Sequence, residues 1–158
     1  MQLTHLDEEG RARMVDVGEK NVTHREAVAK GVIRMSAECL NAVEENRVVK
    51  GNVLTVAEVA GILAAKRTGE TIPLCHSLTL NVVRIAFAVD AEASAITATC
   101  TVSCDGKTGA EMEALHGVTV ALLTIYDMCK AIDKRMVIDD VHLVEKTGGK
   151  SGHFRFQE

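Results

Sequence analysis

Residues 80–103, LNVVRIAFAVDAEASAITATCTVS, carry the pattern that decides the fold. Leu80 to Val89 is rich in valine, isoleucine and phenylalanine, which favour a β-strand. From Ile96 to Ser103 apolar residues alternate with threonine and serine, the two-residue period of a strand with one buried face. Asp90 to Ser94 joins the two runs. The stretch therefore predicts a β-hairpin.

The same alternation recurs on both sides of this hairpin. Upstream, Ala27 to Met35 alternates and predicts a strand, and a further short strand is predicted near Met14 to Val17. Downstream, the apolar residues between Val137 and Val144 predict a closing strand.

Three segments between these strands predict helices. Ser36 to Asn46 is one, with its serine as the N-cap. A second begins at the capping box Thr55 to Glu58 and ends at Gly69. Another capping box, Thr108 to Glu111, opens a long helix whose apolar residues continue to Ile132.

The order of these elements predicts an α+β fold. A ferredoxin-like βαββαβ sandwich with an extra helix accommodates strand, helix, helix, strand, strand, helix and strand. Because Pro73 is the single proline and no Gly/Ser/Pro-rich linker divides the chain, we expect one domain over residues 1–158. A flexible segment of about residues 1–12 and a glycine-rich tail over about 147–158 would flank it.

Composition excludes several classes of protein. Hydrophobic residues make up 47% of the 158 residues, which rules out a disordered chain. Aromatic residues are only 3% and the formal net charge is −4, which argues against nucleic-acid binding. The five cysteines include no C-x-x-C pair, and no signal peptide or membrane-spanning run is evident. We therefore expect a reduced, soluble, cytoplasmic protein that binds no membrane.

The tail contains Lys146-Thr-Gly-Gly-Lys150-Ser151, which ends like a phosphate-binding P-loop. That motif needs a further glycine where this chain has Val144, and a helix after Ser151, where seven residues remain. The P-loop interpretation therefore fails. Two lysines on a flexible segment could still close over a phosphate, and a frayed C-terminus is an equally good interpretation of these residues.

Cys75 and His76 stand side by side in a loop before a predicted strand. Neighbours in an extended chain point to opposite faces, so the pair is a poor metal site and we predict no metal. His76 is a candidate for hydrogen bonding or acid–base work at a pocket edge, and a structural histidine is as good an interpretation.

The long helix carries a polar stripe. Its members, at a spacing of about 3.6 residues, are Glu113, His116, Asp127, Lys130 and Lys134. Asp127 and Lys130 are either an ordinary surface ion pair or, given their apolar neighbours, a buried pair suited to proton transfer. Glu113 and Asp127 are 14 residues apart, about 21 Å along a helix. One small pocket cannot use both from the same helix.

Lys50 follows the first predicted helix beside a glycine. It is either solvated or, if it lies near Lys130, a lysine whose pKa is lowered by the neighbouring positive charge. The second arrangement would provide a general base near neutral pH.

Several segments together resemble the MoaC family of molybdenum cofactor biosynthesis. They run in order through nearly the whole chain and are MVDV (14–17), KGNVL (50–54), AGILAAK (60–66), IPLCH (72–76), TGAEMEAL (108–115), LTIYDMCKAIDK (123–134) and KTGGKSG (146–152). The family usually has proline after the Cys-His pair, whereas this chain has Ser77. Serine frees the backbone and restores a hydrogen-bond donor at this point of the loop.

The resemblance implies a lyase that converts (8S)-3′,8-cyclo-7,8-dihydroguanosine 5′-triphosphate, made from GTP by a partner radical enzyme, to cyclic pyranopterin monophosphate and pyrophosphate. It implies a homohexamer, a trimer of dimers, with active sites at the dimer interface. Glu113 and Asp127 could then serve one site from different chains. No cofactor is implied, and Mg²⁺ with the triphosphate is left open.

The resemblance also assigns roles by position. Asp127 is expected to be the catalytic acid/base, with Lys50 and Lys130 as its proton-transfer and electrostatic partners. Further expected substrate-binding positions are Leu74, Cys75, His76, Met112 and Glu113, with Glu111 in support and Arg25, Lys146 and Lys150 for the triphosphate. The alternative is a non-catalytic purine-nucleotide-binding or scaffold module on the same fold.

Overall fold

A computed structural model describes residues 9–157, in which five strands form one antiparallel sheet. The strands are β1 (Thr23–Arg34), β2 (Leu80–Asp90), β3 (Ala95–Gly106), β4 (Val137–Thr147) and β5 (Phe154–Arg155). Their order across the sheet is β2-β3-β1-β4-β5, and each neighbouring pair is antiparallel. The predicted hairpin is β2 and β3.

Four helices complete the described chain. They are α1 (Ala37–Glu44), α2 (Val53–Lys66), α3 (Thr68–Thr71) and α4 (Glu111–Cys129). Because α2 connects β1 to β2 and α4 connects β3 to β4, the first four strands and these two helices have the βαββαβ order. The predicted α+β, ferredoxin-like fold with an extra helix, α1, is confirmed, and the short α3 is a further helix.

The core lies between the sheet and α4, and it is aliphatic as the composition requires. The inward residues of β1 and β3 pack against buried residues of α4 such as Val118, Leu122 and Ile125. Gly31 of β1 allows this close approach, since a Cβ there would lie 2.8 Å from Leu122 Cδ1. Core contacts therefore fix the position of α4 across the centre of the sheet.

The two long helices pack through glycine. A Cβ on Gly61 of α2 would lie 2.8 Å from the Gly117 carbonyl oxygen of α4, so the backbones meet directly. The helices run antiparallel: Lys50, just before α2, reaches Asp127 near the end of α4, and Thr68, just after α2, bonds His116 near its start. This pairing fixes which polar residues meet at each end of the helical layer.

The predicted helix starts were partly wrong. The Ser36 hydroxyl does cap α1, accepting from the Cys39 N–H at 3.2 Å. However, α2 is capped by Asn52, whose side-chain oxygen accepts from the Thr55 N–H at 2.9 Å, so the helix begins before the Thr55 capping box. α4 begins after Ala110 with no side-chain cap, so Thr108 does not cap it.

Other boundaries also differ from prediction. α2 ends at Lys66, and Gly69 lies in the short α3. α4 ends at Cys129, and Ile132 lies in the following turn. Residues 14–17 form no strand. The sequence analysis missed β5, where the tail folds back to pair with β4.

The flexible segment expected at residues 1–12 lies mostly outside the described chain, which begins at residue 9. Glu158 also lies outside it.

No helix within residues 9–157 is long and apolar enough to cross a membrane.

Candidate active site

A cavity of about 300 Å³ opens at the start of α4. Six predicted site residues line it, namely Leu74, Cys75, His76, Glu111, Met112 and Glu113, together with Val15, Val17, Lys20, Thr108 and Gly109. Its titratable groups are the carboxylates of Glu111 and Glu113, the His76 imidazole, the Cys75 thiol and the Lys20 ammonium, and they lie beside apolar side chains. This composition suits recognition and proton exchange with a small organic ring.

The loop between α3 and β2 supplies one wall of this smaller cavity. Its turn is closed by the Cys75 N–H, which donates to the Ile72 carbonyl at 3.1 Å. Because the loop is a turn and not an extended strand, Cys75 and His76 both line the cavity, contrary to the expectation that they face opposite ways. Ser77 packs on α3, where a Cβ at Gly69 would lie 2.7 Å from its hydroxyl.

Glu113 is the buried acid of the smaller cavity. Only 4% of the residue is exposed, and burial, aided by the Glu111 charge and opposed by a backbone hydrogen bond, raises its pKa to about 7. Burial and the nearby Glu113 carboxylate also raise the pKa of Cys75. At neutral pH Glu113 is therefore able both to donate and to accept a proton.

A second, larger cavity of about 1110 Å³ adjoins the first and is strongly basic. Lys20, Thr108 and Gly109 line both cavities. The larger one brings together the three predicted cations Arg25, Lys146 and Lys150, and it adds Lys20 and Lys107. The acidic side chains lining it are Asp16 and Glu19.

Arg25 is held deep in the larger cavity by the glycine-rich tail. The residue is 9% exposed, and its Nε finds no hydrogen-bond partner among the described residues. Gly149, at a φ of +76°, lies so close that any side chain there would overlap the guanidinium. A buried, incompletely paired guanidinium is suited to an anionic ligand such as a phosphate.

Lys146 connects the two cavities. Its ammonium lies 3.2 Å from Glu111 Oε1 and also donates to the Ser151 hydroxyl. Since Glu111 lines the smaller cavity and Lys146 the larger one, the ion pair stands at their boundary. The glycine-rich segment is therefore part of the wall of the site, with its end anchored by β5.

Lys50, Asp127 and Lys130 form a separate cluster at the other end of α4. Lys130 donates to Asp127 Oδ1 at 2.7 Å, and Lys50 donates to Oδ2 at 2.7 Å and to the Asp127 carbonyl at 3.1 Å. These hydrogen bonds, from Lys130 first and Lys50 second, lower the pKa of Asp127 to about 2. Asp127 in turn raises the pKa of Lys130.

This geometry decides between the alternatives that the sequence left open for these residues. The Asp127 side chain is 55% exposed, so the ion pair is not buried. Lys50 and Lys130 do lie near each other, but a carboxylate stands between them, and the pKa of Lys130 rises because of that carboxylate. The proton-transfer roles of the three residues remain predictions.

The stripe on the long helix is also shorter than predicted. Lys134 lies beyond α4, and its carbonyl accepts a hydrogen bond from the Tyr126 hydroxyl at 3.0 Å. His116 is on α4, where its Nδ1 lies 3.1 Å from the Thr68 hydroxyl. His116 therefore has a structural partner that links α4 to α3.

The two ends of α4 stay apart within one chain. Glu113 and Asp127 are 14 residues apart on the same helix, about 21 Å along its axis. Lys50, Asp127 and Lys130 line neither of the two cavities. The described chain thus carries two separate groups of predicted site residues.

Sequence reasoning missed two lysines of the larger cavity, Lys20 and Lys107. Lys107 donates to the Gly18 carbonyl at 2.6 Å and so holds residues 16–20 against the end of β3. Its place in Gly106-Lys-Thr-Gly109, just before the start of α4, was an available signal. Lys20 has no comparable local motif.

Among the described residues, no group of three or more histidine, cysteine, aspartate and glutamate side chains is arranged to hold a metal ion.

The chain is similar to a family of enzymes over most of its length. The MoaC family model matches residues 14–149. A cyclic pyranopterin monophosphate synthase of Heliobacterium modesticaldum is 55% identical over 156 residues, which cover 99% of this chain and 98% of that protein. Those of Chloroflexus aurantiacus and Desulfitobacterium hafniense are 54% and 56% identical, each over 98% of this chain and 94% of the relative.

Glu113 predicts a pH dependence of stability. Its pKa is about 7 in the folded chain against an ordinary value of 4.5, so the folded state binds more protons between these values. The stabilising contribution of Glu113 to the free energy of unfolding is therefore present at low pH. It falls as pH rises from 4.5 to about 7. Urea unfolding of the wild type and Glu113→Gln should show the wild type losing stability relative to the variant over that window.

The exposed Glu58 of α2 provides the control. Glu58→Gln should follow the wild type at every pH. A constant difference between wild type and Glu113→Gln would contradict the assignment of a raised pKa to this carboxyl.

Proposed function

The chain belongs to the MoaC family, and on that premise we propose that it is a cyclic pyranopterin monophosphate synthase, a lyase of molybdenum cofactor biosynthesis. One observation carries the proposal beyond the relatives' names: the basic cavity and the Glu113 cavity adjoin. A ligand with a polyanionic chain attached to a polar ring system matches the two in charge and chemistry.

The proposed substrate is (8S)-3′,8-cyclo-7,8-dihydroguanosine 5′-triphosphate, and the products are cyclic pyranopterin monophosphate and pyrophosphate. Arg25, Lys146 and Lys150, with Lys20 and Lys107, would hold the triphosphate through charge-assisted hydrogen bonds. Leaving pyrophosphate gains negative charge, which the same cations would stabilise. His76, Cys75, Leu74, Met112, Glu111 and Glu113 would line the purine-derived part.

Asp127, Lys50 and Lys130 would supply the proton transfers. The two ammonium groups hold Asp127 as a carboxylate, which is the base form. The raised pKa of Lys130 keeps that lysine as an ammonium, which is the acid form. We therefore favour Asp127 as base and Lys130 as proton donor, with Lys50 stabilising charge, over a neutral lysine as base.

The Glu113 cavity and the cluster of Lys50, Asp127 and Lys130 would meet in an assembly of identical chains. On α4, Glu113 and Asp127 are equally distant in sequence from Val120. A two-fold axis near Val120, with two α4 helices antiparallel, would set Glu113 of one protomer opposite Asp127 of its partner. The proposed assembly is a homohexamer, a trimer of such dimers.

The helical layer offers an apolar face for this contact. On α2, Val56, Val59 and Leu63 share one face by their spacing and are 43%, 53% and 46% exposed. On α4, Leu123 is 56% exposed, one turn from Asp127. A second copy of the chain is the proposed occupant, because it would bring the missing half of the site.

The remaining expectations are also proposals. The substrate would come from a radical enzyme that acts on GTP, and both enzymes would work in the cytoplasm. We propose no resident cofactor, since the reaction transfers protons and displaces pyrophosphate without a redox step; Mg²⁺ accompanying the triphosphate is left to experiment.

The reaction itself is the first test. Purified protein mixed with the enzymatically prepared cyclic triphosphate should release pyrophosphate and cyclic pyranopterin monophosphate, both followed by mass spectrometry. Asp127→Asn should lose activity by about 100-fold or more, the range typical of a general acid–base residue. Asp105→Asn is the control, because this exposed carboxylate bonds His24 and Asn81 on the sheet.

Binding without product by the wild type would favour the non-catalytic module. Equal activity of wild type and Asp127→Asn would keep the function and remove Asp127 from the mechanism.

The apolar face predicts a change in assembly. Leu123→Glu places a charge in the proposed contact, so the particle mass measured by light scattering should fall below that of the wild type. Val137→Glu, at a residue 52% exposed on β4, is the matched control and should keep the wild-type mass. An unchanged mass for Leu123→Glu would exclude this face as the dimer contact.

A further inference from the structure

Asp133 is a buried carboxylate in the turn that follows α4. It is 7% exposed, although its neighbours Ile132 and Lys134 are exposed. None of the roles assigned above uses it. Its burial therefore calls for a physical reason, since burying a carboxylate is costly unless hydrogen bonds satisfy it.

Two backbone N–H groups satisfy this carboxylate. Asp133 Oδ2 accepts from the Ser36 N–H at 2.8 Å, and Oδ1 accepts from the Arg135 N–H at 2.8 Å. Arg135 itself is a minor partner, because its side chain is 90% exposed and its Nε lies 3.7 Å away. The backbone bonds lower the pKa of Asp133 and keep it ionised. Asp133 thus acts as a connector of main-chain segments.

The first of these segments carries Lys130. The turn after α4 is closed by Ile132 and Asp133, whose N–H groups donate to the Cys129 carbonyl at 2.8 and 3.2 Å. From the other side, the Tyr126 hydroxyl donates to the Lys134 carbonyl at 3.0 Å. Lys130 is the first residue of this turn, so the conformation of the turn fixes the position of the Lys130 Cα atom.

The second segment leads to Lys50. Ser36 is the N-cap of α1, and the chain runs from α1 through a compact turn, with Arg47 N–H bonded to the Ala42 carbonyl at 2.9 Å. Cys39 of α1 and Cys129 at the end of α4 are both fully buried in the same hydrophobic core. Asp133 therefore joins the two elements that each deliver one lysine to Asp127.

We propose that Asp133 is a positioning residue, which sets Lys130 and Lys50 on the two oxygens of Asp127 by tying the turn after α4 to the start of α1. The inference rests on the proposed function of the Asp127 cluster. It assigns to Asp133 no contact with substrate. Its effect on the reaction passes through the geometry of the lysines alone.

Asp133→Asn is the direct test, because an amide of the same shape can accept one of the two hydrogen bonds but opposes the second donor with its own NH₂ group. We expect kcat to fall about tenfold or more while KM changes little, since a misplacement of about 1 Å in a catalytic group can cost about 100-fold. Asp139→Asn, which breaks an ion pair with Arg34 on the sheet, is the control and should keep the wild-type kcat.

The pH profile separates positioning from a general loss of stability. The charged and titratable groups facing Lys130 are Asp127 and Tyr126 on α4 and Lys50 before α2. If Asp127 and Lys130 move apart in Asp133→Asn, the pKa of Lys130 falls, and the basic limb of the kcat profile moves to lower pH. A lower melting temperature with an unchanged kcat profile would overturn the proposal.

Two further measurements keep the proposal open to refutation. If Asp133→Asn does not fold, Asp133→Glu, which keeps the charge but moves both acceptor oxygens by one methylene, should shift the basic limb in the same direction, and an unshifted limb would overturn the proposal. If the wild type has no turnover, the proposed function fails separately. The side-chain pKa of Lys130, measured by NMR, must then still be lower in the folded variant than in the wild type.

Discussion

The packing of α4 across the sheet is the constraint on which the rest of the structure depends. Gly31 lets β1 approach Leu122, and Gly61 and Gly117 let α2 pack closely beside α4, so the 19-residue helix is fixed in place. Each end then carries its own chemistry. Glu113 is buried at the first turn with a pKa of about 7, and Asp127 is exposed near the last turn with a pKa of about 2.

The two carboxyl groups therefore have opposite environments on one rigid element. Burial favours the neutral form of Glu113, whereas two ammonium groups favour the ionised form of Asp127. Glu113 can therefore exchange a proton near neutral pH, while Asp127 stays ionised. The helix also holds the two groups about 21 Å apart, which is why the proposed site needs a second copy of the chain. The basic cavity beside Glu113 adds the means to hold a polyanion, with Arg25 enclosed by the glycine-rich tail.

The sequence predicted the main strands and helices and their order along the chain because their periodicity is long and regular, as in residues 80–103. The sequence analysis was wrong at the start of α2, where neighbouring polar side chains compete to cap the same helix. Asn52 caps α2 in place of Thr55, since its side chain reaches the Thr55 N–H and asparagine is a better N-cap than threonine. The resemblance supplied the expected site residues, but the exposure of Asp127 and the position of Lys20 in both cavities depend on tertiary packing. The pairing of β5 depends on only two residues, too few for a pattern.

The most direct test of the central claim, that one site is built from two protomers, is a mixing experiment. Glu113→Ala and Asp127→Asn variants, each assayed alone for conversion of the cyclic triphosphate, should be nearly inactive. Unfolded together and refolded, they should form mixed dimers in which one of the two sites has both wild-type halves, restoring about a quarter of the wild-type activity. A refolded mixture no more active than its two parents, while refolded wild type recovers fully, would contradict a shared site.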